Sequence, residues 1–384
     1  MELLAEDEAM TPMTRQRMQF FFAGGGTGGH IYPALAVAAE LMQQQPKAEV
    51  VFFCSSRAVD ARVLAGSGYE FFPLPAEGFS PHPVKAIRFV VQFLKSYYFA
   101  KQILLAGREE SVVIGTGGFV SAPVIFAARS LRIPVCVLNV DYVPGKANRM
   151  LARFAQTIFT QYDQTAAYFE KRQDKVVAAG CPLRKEFAEP QPDEARQTLG
   201  LDADKKILLI TGASSGSRSI NEAMLKLLPH LAAFADDWQV VHLTGQAHYH
   251  EVKAATEGSS ISYHPVDYYD RMADLYAASE IIVGRSGAVS VAEYAAAGRP
   301  AVCLPYPYHK DKHQTLNAAE MVEAGGAVVV EDIIGNTDQT AAALMDVLRD
   351  LMAHDARRAR MAAAARSVAR PDAAARIAKL LLAF

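Results

Sequence analysis

The chain has 384 residues, more than one hydrophobic core of about 250–300 residues accommodates, so two domains are expected. It is 51% hydrophobic and 21% charged, which excludes a disordered protein. Its 39 basic and 41 acidic side chains leave no global excess for binding nucleic acid. Four scattered cysteines, Cys54, Cys136, Cys181 and Cys303, form no C-x-x-C pair and read as small thiols of a reduced, cytoplasmic protein.

Residues 1–18 read as a loose tail. Glu2, Glu6, Asp7 and Glu8 stand where a signal peptide carries basic residues, and no apolar segment follows before Arg15. Two uncharged stretches, 19–39 and 111–128, have the length of membrane spans, but their glycines are bunched. They read instead as strand, turn and helix. Strands are predicted at 19–23, 49–54, 69–74, 112–115, 135–138 and 157–160, with helices at 33–43 and 120–130 between them. The series restarts with strands at 206–211, 238–243, 281–284, 301–304 and 327–330 and helices at 217–233, 289–297 and 314–324. Such alternation predicts parallel sheets built from βαβ units. The heptapeptide starting at Gly115 recurs at Gly284 with four identities in seven, which predicts a repeated fold. The domains are thus expected at 19–186 and 206–365, joined by a polar linker at 187–205 that holds Pro190 and Pro192. The Ala/Arg-rich end, 353–384, reads as helix interrupted at Pro371.

Three glycine- or serine-rich loops follow strands and open helices, where free N–H groups and the helix dipole favour a phosphate. The first, Gly24 to His30, also satisfies G-x-G-x-x-G, the dinucleotide fingerprint. The second predicted strand, however, ends Cys54-Ser55-Ser56-Arg57, without the acidic residue a dinucleotide ribose requires, so a nicotinamide or flavin enzyme is a minor alternative. The second loop runs from Gly212 to Arg218. The third, Gly284-Arg285-Ser286-Gly287-Ala288-Val289, offers amides for a diphosphate, and Glu293 offers a carboxylate for the hydroxyls of a ribose. A polar cluster, His309 to Gln314, follows a proline-rich approach and reads as a sugar-reading loop rather than a metal site.

In combination these motifs resemble the MurG family of glycosyltransferases from about Gln19 to Ala365. The matching segments are Gly25–His30, Gly117–Ser121, Pro144–Arg149, Arg285–Ala288, and His309-Lys310-Asp311 with Gln314 and Asn317. The resemblance implies an α/β GT-B fold, two Rossmann-like domains facing across a cleft. The first would bind the acceptor and the membrane, the second the UDP-sugar, with the C-terminal helix, 366–384, packing back on the first. It implies an inverting transfer of N-acetylglucosamine from UDP-N-acetylglucosamine to an undecaprenyl-linked muramyl-pentapeptide, with no metal or other cofactor.

The residues carried over for the donor are Thr27, Gly28, Gly29, Arg184, Ser214, Tyr269, Ala288, Val289, Glu293, His313 and Gln314, with Tyr268 beside the uracil. The catalytic candidates are His30 and Asp141. The acceptor side departs from the family. Members carry His-Glu-Gln-Asn where this chain has Leu138-Asn139-Val140-Asp141, and Phe119 replaces a usual tyrosine. Phe119, Asn139 and Asp141 are nonetheless the expected acceptor-binding positions. These departures keep a different acceptor open, as well as a UDP-sugar 2-epimerase or a non-catalytic UDP-sugar-binding protein. The segment 79–105 mixes Lys85, Arg88, Lys95 and Lys101 with Ile87, Phe89, Phe93, Leu94, Tyr97, Tyr98 and Phe99. It is expected to hold the protein peripherally on the inner face of the cell membrane.

Overall fold

The computed structural model describes residues 18–384 except 27, 79, 81, 108–109, 213–215 and 309–310. The expected tail at 1–18 therefore lies outside the described residues but for Met18. The first unit runs β1 (Gln19–Gly24), α1 (Gly28–Gln44), β2 (Glu49–Ser55), α2 (Ala58–Ala65), β3 (Glu70–Leu74), α3 (Pro83–Ala106), β4 (Ser111–Gly117), α4 (Ser121–Ser130), β5 (Val135–Asn139), α5 (Lys146–Leu151), β6 (Thr157–Thr160) and β7 (Val176–Ala178). Its seven parallel strands are ordered β3-β2-β1-β4-β5-β6-β7. Phe21 of β1 lies opposite Val51 of β2 and Val113 of β4. Helices cover both faces, so β1 and β4 are apolar runs buried on both sides rather than alternating strands.

The second unit runs α6 (Pro192–Thr198), β8 (Lys206–Thr211), α7 (Arg218–Leu231), β9 (Trp238–Leu243), α8 (Tyr249–Thr256), β10 (Ser262–Val266), α9 (Met272–Ala278), β11 (Ile281–Gly284), α10 (Ala288–Ala297), β12 (Ala301–Cys303), α11 (His313–Glu323), β13 (Ala327–Val329), α12 (Thr337–Ala353), α13 (Asp355–Ser367) and α14 (Ala373–Leu381). Its sheet order, β10-β9-β8-β11-β12-β13, repeats that of the first. The two copies of the heptapeptide both span a strand-to-helix turn, at the ends of β4 and β11.

Several details differ from the sequence reading. Strands β7 and β10 carry no long apolar run, and both form sheet edges; Pro265 is tolerated in β10 for that reason. Helix α1 begins at Gly28, before the expected start at Pro33, so Pro33 sits inside it and the Gly29 carbonyl has no i+4 amide donor. The expected linker is folded. It holds α6, whose Ala195 is fully buried, and Gln191 N–H donates to Asp274 at 2.6 Å. The chain instead crosses over within a few residues: Leu183 packs on the first core and Phe187 on the second. It returns after Ala369, which packs on the second core, and α14 buries Ile377, Ala378 and Leu381 in the first.

Candidate active site

A cavity of about 530 Å³ lies between the domains at the carboxyl ends of both sheets. In each sheet it opens where strand order reverses, at β1/β4 and at β8/β11, the switch point at which open α/β sheets bind ligands. The first domain lines it with Gly28, Gly29, His30, Tyr32 and Asp141, and the second with Tyr268, Tyr269, Gly287 to Ser290, Glu293, His313 and Gln314; Arg184 comes from the crossover.

On the first wall the chain bends sharply through Gly25 (φ 143°) and Gly26 (φ 91°), conformations that suit glycine. Buried Asp60 braces this turn: its Oδ2 accepts from Gly26 N at 2.7 Å, Ser55 N at 3.1 Å and Ser55 Oγ at 2.6 Å. Sequence reading missed Asp60, because nothing local marks the contact, 34 residues away. The His30 Nδ1–H donates to Gly25 O at 3.0 Å. A carbonyl only accepts, so neutral His30 carries its basic lone pair on Nε2. The close approach of Gly117 and Gly118 is equally tight: a Cβ on Gly117 would meet His30 Nε2 at 2.9 Å, and one on Gly118 would meet Gly25 O at 2.6 Å.

On the opposite wall α10 starts at the cavity. Gly287 caps it without a side-chain hydrogen bond, and its first turn holds no acidic residue. The amides of Ala288 and Val289 and the positive end of the helix dipole thus face the space unneutralised. Arg285, which the motif places in the same loop, turns away. It is buried, pairs with Asp332 at 2.8 Å and donates to Ser217 and Ser219, fixing the loop from behind.

Glu293 lies one to two turns further along α10. Burial raises its pKa to about 7, with Glu186 adding to the rise, against the opposing pull of Arg184 and a hydrogen bond from Tyr276. Tyr276 is a second residue that sequence reading missed, since nothing local in α9 marks its contact with Glu293. Arg184 lies with its guanidinium 4.7 Å from the centre of the Tyr32 ring, so it links α1 to the donor wall. His313 Nδ1 pairs with Asp311 at 2.8 Å, and Gln314 Oε1 accepts from Tyr306 N at 2.8 Å. The latter leaves the Gln314 amide donor to the cavity.

Thr27, Ser214, His309 and Lys310 lie outside the described residues. Asn139 and Phe119 are not brought to the cavity wall. Asn139 is 2% exposed, donates to Asp141 O at 2.6 Å and accepts from Asn148 at 3.0 Å, so its amide holds the acceptor-side loop together from beneath. Phe119 is exposed and lies over Gly78.

Two Rossmann-like parallel-sheet domains, facing across a cleft with an uncapped helix N-terminus on the second, define a protein of the GT-B class. The family models agree. Glycosyltransferase family 28 N-terminal domain matches residues 20–160 and Glycosyltransferase family 28 C-terminal domain matches 207–377. The UDP-N-acetylglucosamine--N-acetylmuramyl-(pentapeptide) pyrophosphoryl-undecaprenol N-acetylglucosamine transferase of Desulfitobacterium hafniense is 34% identical over 95% of this chain and 99% of its own length. Its namesake from Salinibacter ruber is 35% identical over 97% and 98%. The crystal structure of Acinetobacter baumannii MurG superposes with a TM-score of 0.71 at 25% identity, covering 96% of this chain and all of that one. A UDP-GlcNAc 2-epimerase from Neisseria meningitidis superposes at 0.69 with 16% identity, a likeness of fold alone. The chain belongs to glycosyltransferase family 28, among the MurG-type N-acetylglucosamine transferases. The resemblance and fold read from the motifs are borne out.

Proposed function

We propose that the protein transfers N-acetylglucosamine, with inversion, from UDP-N-acetylglucosamine to the sugar hydroxyl of an undecaprenyl-diphosphate-linked muramyl-pentapeptide. The observation that carries this reading is the interdomain cavity. It sets His30 and Asp141 on one wall against the α10 N-terminus, Glu293, His313 and Gln314 on the other. The diphosphate of the donor lies on the Ala288 and Val289 amides, the ribose hydroxyls donate to Glu293, and Tyr269 flanks the uracil. His313 and Gln314 read the sugar.

In the transfer, the acceptor oxygen forms its bond to the anomeric carbon as the bond to the UDP oxygen breaks. His30 Nε2 takes the hydroxyl proton, and the helix N-terminus with Arg184 stabilises the charge growing on UDP. The test is transfer of labelled sugar from UDP-N-acetylglucosamine to the lipid-linked muramyl-pentapeptide. Wild type is expected to turn over, and His30→Ala to lose about 100-fold or more in kcat while binding UDP normally. Equal loss of turnover and UDP binding would remove His30 as the base. Tight UDP binding without transfer to this lipid would move the protein to another acceptor.

The site faces a lipid-borne substrate from a membrane surface in this reading, and α3 supports it. No helix among the described residues is long and apolar enough to cross a membrane. Val84, Ile87, Val91, Leu94 and Tyr98, spaced three and four apart, are all exposed on one side of α3, so an apolar stripe faces outward. Lys85 and Lys95 are exposed on the same helix. The aromatics split: Phe93 packs inward on Phe126 at 6.0 Å, whereas Tyr98 points out. Arg88 is paired with Glu77, which reduces its part in binding anionic lipid. Ile87→Asp with Leu94→Asp is expected to abolish co-sedimentation with anionic phospholipid vesicles and to spare transfer to a soluble short-chain acceptor. Unchanged sedimentation would refute the surface.

A further inference from the structure

The hydrogen bonds of one fully buried side chain cross the cleft. Asn317 lies on α11, one turn beyond Gln314 and on the same face as His313 and Gln314. Its Oδ1 accepts from Tyr142 N at 2.8 Å in the first domain. A backbone amide only donates, so the amide nitrogen must face the other way. There Nδ2 donates to Asp141 Oδ1 at 3.1 Å and to Ser286 O at 3.3 Å. The backbone carbonyl of Asn317 also accepts from Tyr162 of the first domain at 2.8 Å. One residue therefore joins the loop that carries Asp141, the loop before the α10 N-terminus, and the helix that presents the sugar-reading pair.

We propose, resting on the transfer reaction above, that Asn317 is a positioning residue and Asp141 its partner. The pair registers the acceptor wall against the donor wall, so the carboxylate of Asp141 works as a hydrogen-bond anchor rather than as the base. Both donor protons of the Asn317 amide are committed, one to each wall. The anchor is lost if either end changes hydrogen-bonding sense. It is regained if both are exchanged together.

The experiment exchanges them. Asn317→Asp keeps an acceptor for Tyr142 N but sets a carboxylate against Asp141 and against Ser286 O. It is expected to lower kcat about 100-fold, with a smaller change in UDP affinity measured by calorimetry. Asn317→Asp combined with Asp141→Asn restores the bond in reverse, the amide at 141 donating to the carboxylate at 317. It is expected to recover about tenfold of that loss, short of wild type because Ser286 O still lacks its donor. A double variant no better than Asn317→Asp overturns the proposal, as does an Asn317→Asp enzyme with wild-type kcat.

Melting curves check that both variants fold. Should Asn317→Asp fail to fold, Asp141→Ala on the partly exposed loop decides. Its residual activity keeps the wild-type pH profile if Asp141 anchors, and loses the acidic limb if Asp141 is the base. Wild-type turnover in the same assay separates the two readings: no transfer by wild type fails the reaction, whereas an unrescued double variant fails only the anchor.

Discussion

The heptapeptide at the end of β4 and its repeat at the end of β11 lead from strand to helix in two like-ordered sheets, and they end differently. In the first domain, Ser121 is fully buried. Its Oγ accepts from Gly117 N at 3.1 Å and lies 2.7 Å from Ala23 O and 2.8 Å from Gly117 O. The start of α4 carries no side-chain cap, but Val120 and Ser121 there are buried and do not line the cavity. In the second domain the matching Ser290 lines the cavity, and α10 starts with no side-chain cap. Repetition of a fold preserves the strand-to-helix turn. Whether the helix start there is available to an anion depends on whether it opens to a cavity or is buried.

Closing the open end is the severest test of this contrast. Val289→Asp puts a carboxylate in the first turn of α10, where it repels a diphosphate. UDP affinity by calorimetry is expected to fall about 100-fold. Loss of less than threefold would remove the helix start from the phosphate site.

Glu293 gives the next largest effect, and it has a sign. Its pKa is raised to about 7, so between about 4.5 and 7 the folded protein holds a proton that the unfolded chain releases. Its ionisation therefore takes stability away as pH rises through that window. Glu293→Gln is expected to be more stable than wild type by about 2–3 kcal/mol at pH 8, and not at pH 4. Urea melts at the two pH values check this.

Ribose hydroxyls donate to the ionised carboxylate, so UDP affinity should rise about tenfold from pH 6 to pH 8 beyond the change seen with Glu293→Gln. That variant controls for ionisation of UDP itself. Parallel pH curves for the two proteins would remove Glu293 from the ribose site.

The smallest effect lies in the buried copy. Ser121→Ala leaves Gly117 N without its partner and is expected to cost about 1–2 kcal/mol of stability with UDP affinity unchanged. A drop in affinity would show that the two copies are not separated as described.

Much of this architecture is legible in the chain itself. The strands at 19–23 and 206–211 follow from unbroken apolar runs, since a parallel sheet covered on both faces needs no alternation. Glu293 stands out because alanines surround it. Of the four edge strands, β3 and β13 are legible from their apolar runs, whereas β7 and β10 are not, because an edge strand's side chains need not be apolar. On α3 the sequence puts Phe93 and Tyr98 together, and only packing on α4 separates an inward ring from an outward one.

The amino-acid sequence alone determined two like domains, the glycine turns beside the cavity and the family to which the chain belongs. These are local matters: apolar periodicity and the positive φ that glycine permits act over a few residues. Tertiary structure alone decided that Asn139 lies beneath its loop, that Asp60 braces a turn 34 residues away, and that Asn317 meets Asp141 across 176. Those partners are fixed by how two sheets and their crossover pack in space, and no spacing along the chain encodes that distance.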